Sequence, residues 1–221
     1  MRNKLFAHAV MVTATVLAAC ERLDSVGPAA DVEAPDPAFA VGGASPVIVA
    51  NLGIADIAGL GLSGQVTLTR STQGLWADLA VDGLLPGYAY SVWWAIFNNP
   101  QGCDGPCTSF DLRNIVQAQG SLVNGGGFVG TGATVVHTTH LARHDPEGNS
   151  VEAGDPRGIR NPYGAEVHLV IRSHGPAEAD PDDLLAQIST FAQFCNLPNV
   201  GCQNVGASPF APPGSPGRQG S

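Results

Sequence analysis

The sequence predicts an all-β fold, a β-sandwich of immunoglobulin-like or Greek-key type with one short helix near its C-terminal end. Several short segments alternate between apolar and polar side chains, and clusters of Gly, Pro, Asn and Asp separate them. One later segment instead carries apolar residues at helical spacing. A small β-barrel is the alternative arrangement of the same strands.

The first half of the chain contains four candidate strands. Residues 75–82 alternate most clearly, whereas residues 88–97 are apolar on both faces and predict a central strand that is covered on both sides. Trp93 and Trp94 lie on opposite faces of it. We expect burial of both, and the alternative is that one lines a carbohydrate or peptide groove. The four strands are predicted at residues 46–50, 65–70, 75–82 and 88–97.

The second half begins with a glycine cluster. Asn124-Gly125-Gly126-Gly127 lies between candidate strands at 117–123 and 128–134, which is typical of a hairpin turn. The second arm can continue through 135–141. Residues 143–163 are charged and rich in Gly and Pro, and we therefore expect a long loop.

The helix is predicted after Asp180-Pro181-Asp182-Asp183. This segment supplies an acidic cap, a proline in the first turn and negative charge at the positive end of the helix dipole. The helix should close one end of the sandwich, above a loop bounded by Cys195 and Cys202. Its apolar residues at helical spacing are Leu184, Leu185, Ile188 and Phe191.

The N-terminal end has the pattern of an export signal. Arg2 and Lys4 precede a short apolar segment that ends in Leu17-Ala18-Ala19-Cys20, which resembles the bacterial lipobox. The resemblance implies cleavage before Cys20, lipid on its thiol and amine, and a tether to a membrane. A chance cysteine after small residues is the alternative. Glu21, in place of Asp, favours the outer membrane or the periplasmic side in a Gram-negative host.

These features divide the chain into four parts. Residues 1–19 are the expected signal peptide and residues 20–45, rich in Ala, Pro, Asp and Gly, a flexible stalk. Residues 46–205 are the expected β-sandwich domain, and residues 206–221 an expected disordered tail of low complexity.

The net charge of the chain argues against some classes of binding partner. Without residues 1–19 it keeps eight Arg, no Lys and 19 acidic residues, a net charge of −11 with neutral His. Nucleic acids and anionic lipids require a basic surface, so binding to either is not expected. The expected partners are the membrane, through lipid on Cys20, and an unidentified protein or glycan.

Four cysteines remain after Cys20. Their even number in an exported protein favours two disulfides, for which three pairings exist. Cys103–Cys107 and Cys195–Cys202 are preferred, because each pair brackets a turn rich in Gly, Pro or Asn. Zinc bound by the four cysteines is the alternative, but their spacing fits zinc ribbons poorly.

Three histidines form the cluster His137-x2-His140-x3-His144. On a strand, His137 and His140 point to opposite faces, so they share a metal only if the segment turns or becomes helical. Together with His168 they are weak candidates for copper or zinc. A polar strand end that runs into a loop is the preferred interpretation.

Residues 164–175 carry the best candidate polar site. Glu166, His168, Arg172 and His174 share one face of this predicted strand. Residues two apart on a strand lie roughly 7 Å from each other, so Glu166 can reach His168. His168 can then act as a ligand or general base that Glu166 orients, while Arg172 binds an anion. The preferred interpretation is a structural one, an ion pair or a link to a loop.

Two motifs resemble a family of uncharacterised bacterial exported proteins and lipoproteins. They are the segments 93–100, with Cys103 and Cys107, and 164–176, and the resemblance covers roughly residues 64–203. It implies an exported β-sandwich and no mechanism. Residues 84–90 are also similar to a turn of CHRD and copper/zinc superoxide dismutase-like domains. The dismutase His-x-His ligand pair is missing here, which argues against that activity.

The function expected from these residues is a lipid-anchored extracytoplasmic β-sandwich that acts as a binding or structural module in the cell envelope. The alternative is a metal-dependent or acid–base enzyme built on the 164–175 strand. The sequence contains no GxSxG or HExxH motif, and it assigns no catalytic residue.

Overall fold

The computed structural model describes residues 47–144, 151–196 and 202–215. They belong to one compact unit, Ala44–Ser221. The expectations for the signal peptide, Cys20 and the stalk lie outside the described residues. Within the described parts, no helix is both long and apolar enough to cross a membrane.

The described residues form ten strands and one α-helix, with short 3-10 turns at Pro100–Gly102 and Asp111–Arg113. The helix α1 is Pro181–Ser189. The strands are β1 Ile48–Gly53, β2 Ala55–Asp56, β3 Ser63–Ser71, β4 Gly74–Asp82, β5 Tyr88–Phe97, β6 Gly120–Val129, β7 Val135–Ala142, β8 Val151–Gly154, β9 Glu166–Pro176 and β10 Gln203–Phe210.

The strands form two antiparallel sheets. One has the order β1-β3-β4-β7, and the other has the order β2-β10-β9-β5-β6-β8. These separate sheets, rather than a closed barrel, confirm the sandwich prediction. In the six-stranded sheet β5 lies between β9 and β6, which is the central position predicted from its two apolar faces.

The main core lies between the two sheets, and alternate side chains along each strand point into it. Successive inward residues of β4 and β9 are almost completely buried. Trp94 belongs to this core, whereas Trp93 belongs to a second cluster with Cys103 and Cys107. Both tryptophans are 0% exposed, so the groove alternative is wrong. The inward residues are Leu75, Ala77, Leu79 and Val81 of β4 and Val167, Leu169 and Ile171 of β9.

The hairpin predicted at 124–127 is wrong. Strand β6 passes through all four residues without turning, and the chain turns at 130–134 before β7. The glycines serve close packing instead. A Cβ on Gly125 would lie 3.0 Å from Nε1 of Trp94, and a Cβ on Gly127 would overlap the carbonyl oxygen of Tyr90.

Two further strands lie where loops were predicted. Strand β8 is within residues 143–163, and β10 extends to Phe210, so the prediction of a disordered tail is wrong for residues 206–210. Small side chains suit this position because a Cβ on Gly206 would already lie 2.9 Å from Cγ2 of Ile54. Low complexity here reflects tight packing rather than disorder.

The helix forms where the sequence predicted it. The Asp180 side chain accepts hydrogen bonds from the backbone N–H groups of Asp182 and Asp183, and Pro181 occupies the first turn. The helix ends at Ser189, earlier than predicted, and contacts β5 and β6. Phe191 lies beyond it, and Leu185 is exposed.

Candidate functional site

The four cysteines form the two predicted pairs in disulfide geometry. The Cα atoms of Cys103 and Cys107 are 5.3 Å apart, and those of Cys195 and Cys202 are 4.8 Å apart. The first pair is buried beside Trp93, in the second apolar cluster, whereas both cysteines of the other pair are partly exposed.

Glu166 and His168 are in contact, as the two-residue spacing predicted. Nε2 of His168 lies 2.8 Å from Oε1 of Glu166, and its ring packs edge-on against Phe97. The same carboxylate oxygen accepts a hydrogen bond of 3.1 Å from the backbone N–H of Cys107. Glu166 is only 4% exposed. The pair therefore fixes the disulfide loop onto the sheet.

Arg172 binds the segment that follows α1. Its Nε donates to the carbonyl oxygen of Phe191 at 2.6 Å, and its NH1 donates to Oδ1 of Asn204. The guanidinium lies 4.0 Å from the centre of the Phe191 ring, which in turn packs edge-on against Trp93. Burial lowers the pKa of Arg172. The predicted anion-binding group is thus occupied by the protein itself.

His174 lies at a β-bulge, between the pairs Tyr90–Ser173 and Ala89–Gly175. It is 0% exposed, so it is not part of an accessible polar face. Burial and the nearby charge of Arg172 lower the pKa of His174 to about 4, which keeps the ring neutral at physiological pH.

The ring of His174 contacts β5 on one side and a disulfide on the other. Its Nε2 is 2.7 Å from Oγ of Ser91, which also accepts a hydrogen bond from Nε1 of Trp93. Its Nδ1 is 3.2 Å from Sγ of Cys202. His174 is therefore held between the central strand and the Cys195–Cys202 pair.

The four residues of the candidate site form separate contacts rather than one centre. His168 and His174 are six residue steps apart along the strand, a distance of about 20 Å. Glu166 and His168 hold the loop after β5, whereas Arg172 and His174 hold the segment after α1. This arrangement favours the structural interpretation of the strand.

The histidines of β7 point to opposite faces, as predicted. Nε2 of His137 lies 2.9 Å from the carbonyl oxygen of Gly125, while the exposed His140 stacks on Trp76. The backbone N–H of His144 donates to Ile159. Among the described residues, the one compact group of possible metal ligands is His174, Cys195 and Cys202, which includes none of these three.

A charge cluster around the buried Asp155 was not predicted. Asp155, after β8, accepts two hydrogen bonds from the Arg157 guanidinium, at 3.0 and 2.9 Å, and lies 3.4 Å from Nε of Arg160. The hydrogen bonds from Arg157 hold the pKa of Asp155 below its usual range. The signal in the sequence is an Asp followed two residues later by Arg, inside a segment interpreted as a loop.

A groove of about 720 Å³ lies beside the loop after β5. Its wall combines the start of that loop, the turn before β9 and the residues after β10. It was not predicted because its segments are distant in sequence. The lining residues are Asn98, Asn99, Pro100, Gln101, Tyr163, Gly164, Pro212, Pro213 and Ser215.

Comparison of the chain with family models, curated proteins and solved structures finds no match. The resemblance of the two sequence motifs to bacterial exported proteins therefore stays a prediction.

Proposed function

We propose that this protein is a lipid-anchored extracytoplasmic β-sandwich that acts as a binding or structural module of the cell envelope. The lipobox-like segment before Cys20 and the acidic, Lys-free remainder of the chain support the compartment. Two disulfide pairs agree with an oxidising environment.

The binding role is supported by the loop between β5 and β6, residues 98–119. It exposes three large apolar side chains: Phe110 is 87% exposed, Ile115 57% and Val116 81%. Exposed apolar groups gathered on one loop are typical of contact surfaces for other proteins.

This loop is braced, so its apolar side chains are presented without a large cost in conformational entropy. The Cys103–Cys107 pair and Glu166 hold its first half on the sheet. Asp111 accepts hydrogen bonds from the backbone and hydroxyl of Thr108, at 2.7 and 2.8 Å. A second turn is closed by Asn114, which accepts from the N–H of Gln117 at 2.9 Å.

Glu166 and His168 of β9 support this loop, and their contacts argue against a reaction centre there. An acid–base or metal site needs Glu166 and His168 to meet a substrate, but Glu166 is buried and both residues already bind neighbouring groups. We therefore assign them a positioning role behind the binding loop.

A photoreactive amino acid in place of Ile115, in the full chain within its native envelope, tests the binding role. We expect a discrete cross-linked protein that disappears in the double variant Phe110→Ser/Val116→Ser, whose thermal unfolding should be unchanged. The same photoreactive residue at the 74% exposed position Val136 on β7 is the matched control. Equal products from both positions, or none from 115, would contradict the proposal.

The anchor is tested separately by mass spectrometry of the N-terminal peptide. We expect a peptide that starts at Cys20 and carries acyl chains, and a membrane-bound protein. Cys20→Ser should abolish the modification and release the protein from the membrane. An unmodified Cys20 in a membrane-free protein would disprove the anchor and leave the binding test intact.

The enzyme alternative has one observation in its favour, the 2.8 Å contact of Glu166 with His168, whose side chain is 20% exposed. Metal analysis of the protein, purified without chelators or a histidine tag, tests it. About one equivalent of copper or zinc that is lost in His168→Ala would support the enzyme alternative. No metal, or metal retained by His168→Ala, would count against a metal-dependent enzyme at this site.

A further inference from the structure

His174, Cys195 and Cys202 bring three potential ligand atoms together. The imidazole nitrogen and the two sulfurs all lie within 4.8 Å of one another, and Nδ1 of His174 is 3.2 Å from Sγ of Cys202. In a tetrahedral zinc site, bonds of about 2.3 Å to sulfur and 2.0 Å to nitrogen leave the ligand atoms roughly 3.5–3.8 Å apart. The observed spacing is close to this once the two sulfurs are no longer bonded to each other.

The two disulfides differ in the access that they offer. Cys103 and Cys107 are 8% and 3% exposed and are packed with apolar side chains. Cys195 and Cys202 are partly exposed, so a reductant can reach their sulfurs. The accessible disulfide is the one that has a histidine beside it.

His174 is oriented as metal-binding histidines are. Such residues use their second ring nitrogen to bind a neighbouring polar group, which fixes the ring. Here Nε2 lies 2.7 Å from Oγ of Ser91, and Nε1 of Trp93 donates to the same oxygen at 2.7 Å. Because a serine oxygen has two lone pairs, Ser91 can also accept from Nε2–H when Nδ1 is free to bind a metal.

We propose that Cys195, Cys202 and His174 form a redox-gated zinc site. A dithiol reductant transfers two electrons and two protons to the disulfide and becomes a disulfide itself. Zn²⁺ then displaces the two thiol protons and is bound by both thiolates and by Nδ1 of His174, with water as the fourth ligand. A disulfide oxidant then accepts two electrons from the thiolates and two protons from solvent and becomes a dithiol, while Cys195 and Cys202 re-form their disulfide and release Zn²⁺.

Cobalt(II) is the probe for this site, because thiolate ligands give Co²⁺ a near-ultraviolet charge-transfer band and tetrahedral geometry gives intense visible bands. The full mature protein is reduced with a phosphine under anaerobic conditions and titrated with Co²⁺, then with Zn²⁺. We expect one equivalent of Co²⁺ with both sets of bands, displaced by one equivalent of Zn²⁺. The oxidised protein should show neither.

Variants separate this site from the other cysteines. Cys195→Ser and Cys202→Ser should lose the charge-transfer band, and His174→Gln should weaken binding further than Ser91→Ala, which should reduce the affinity about 10–100-fold. Cys103→Ser/Cys107→Ser is the matched control and should keep the spectrum. Circular dichroism of each reduced variant shows whether it is folded.

Several results would overturn the proposal. They are Co²⁺ binding by the oxidised protein with the same spectrum, a spectrum that survives Cys202→Ser, and a reduced wild-type protein that unfolds and is not refolded by Zn²⁺. Each of these results leaves the proposed binding role of the loop at 98–119 unaffected, because that test does not involve these cysteines.

Discussion

At the scale of single residues, buried polar side chains mainly form hydrogen bonds that connect segments distant in sequence. Glu166 is the clearest example, since one carboxylate oxygen contacts both His168 on its own strand and the backbone of Cys107. A buried N–H that loses its acceptor lowers the free energy of unfolding by more than the net contribution of the hydrogen bond, because the buried N–H cannot form a replacement hydrogen bond with water.

We predict that Glu166→Ala lowers the free energy of unfolding by about 1–3 kcal/mol, because it leaves the N–H of Cys107 and the ring of His168 without this acceptor. Urea denaturation measures the change. Glu152→Ala, at an exposed position on β8, is the matched control and should be nearly neutral. Equal effects of the two substitutions would show that the hydrogen bonds of Glu166 do not stabilise the fold.

The buried Asp155 predicts a dependence of stability on pH. Arg157 holds the pKa of this carboxyl below its ordinary value near 3.8, so the unfolded chain takes up the proton first as the pH falls. The stabilisation is complete above that ordinary value and is lost as the pH falls through the folded-state pKa. Asp155→Asn should therefore flatten the acid limb of the stability curve.

Denaturant unfolding between pH 2 and pH 7 measures this curve. The exposed Asp104→Asn is the control. At neutral pH, Asp155→Asn should also lower the free energy of unfolding, because it weakens the charge-assisted hydrogen bonds from Arg157. An unchanged acid limb in Asp155→Asn would contradict the assignment.

Residue contacts were predictable only where they are local. The contact of Glu166 with His168 follows from their spacing on a strand, whereas Cys107 is 59 residues from Glu166, and no pattern in the sequence joins them. Burial of His174 was missed because the β-bulge that contains it depends on its partner strand, β5.

At the scale of elements, β6 shows that glycines can mark close packing inside a strand. Gly127 does not need a positive φ, yet a Cβ there would overlap the carbonyl oxygen of Tyr90 and lie 2.7 Å from Cβ of Ile188 on α1. The glycine lets α1 approach the sheet.

Gly127→Ala should therefore destabilise the protein by about 1–3 kcal/mol, the cost typical of overpacking. Gly53→Ala on β1 is the matched control, because the nearest atom to its Cβ would be 3.9 Å away. Thermal unfolding compares the two. A neutral Gly127→Ala would mean that α1 shifts readily and does not depend on this contact.

Elements with a strong period were predictable, and elements made of small residues were not. Strands β4 and β9 follow the alternation in their sequence, β5 is the continuous apolar run predicted to be covered on both faces, and α1 begins at its acidic cap. In β6 and β10 the same residue types that form turns instead satisfy a tight fit against neighbouring elements. That fit exists only in the folded protein.

At the scale of the whole molecule, Arg70 joins the two sheets. From β3 its guanidinium donates to the carbonyl oxygens of Pro162 and Ala165, just before β9, and to those of Phe210 and Ala211 at the end of β10. Burial lowers its pKa to about 10, so it stays charged at neutral pH. The described contacts satisfy this cation with backbone carbonyls.

Strand β10 should be essential to the fold. A chain that ends at Val205 loses most of β10, one of the two strands that pair with β9, and two of the carbonyls bound by Arg70, and we expect it to be unfolded. A chain that ends at Ser215 should unfold at the same temperature as the full chain. Circular dichroism distinguishes them, and a folded chain ending at Val205 would contradict this role.

The position of β10 also determines when the fold can be completed. Strand β2, near the start of the domain, pairs with β10, and β10 pairs along β9. A chain that emerges N-terminus first, from a ribosome or a translocation pore, therefore leaves one edge of its larger sheet open until β10 has appeared. Premature folding is disfavoured by the topology itself, and the unpaired edge is the region where a holding chaperone or a protease would act.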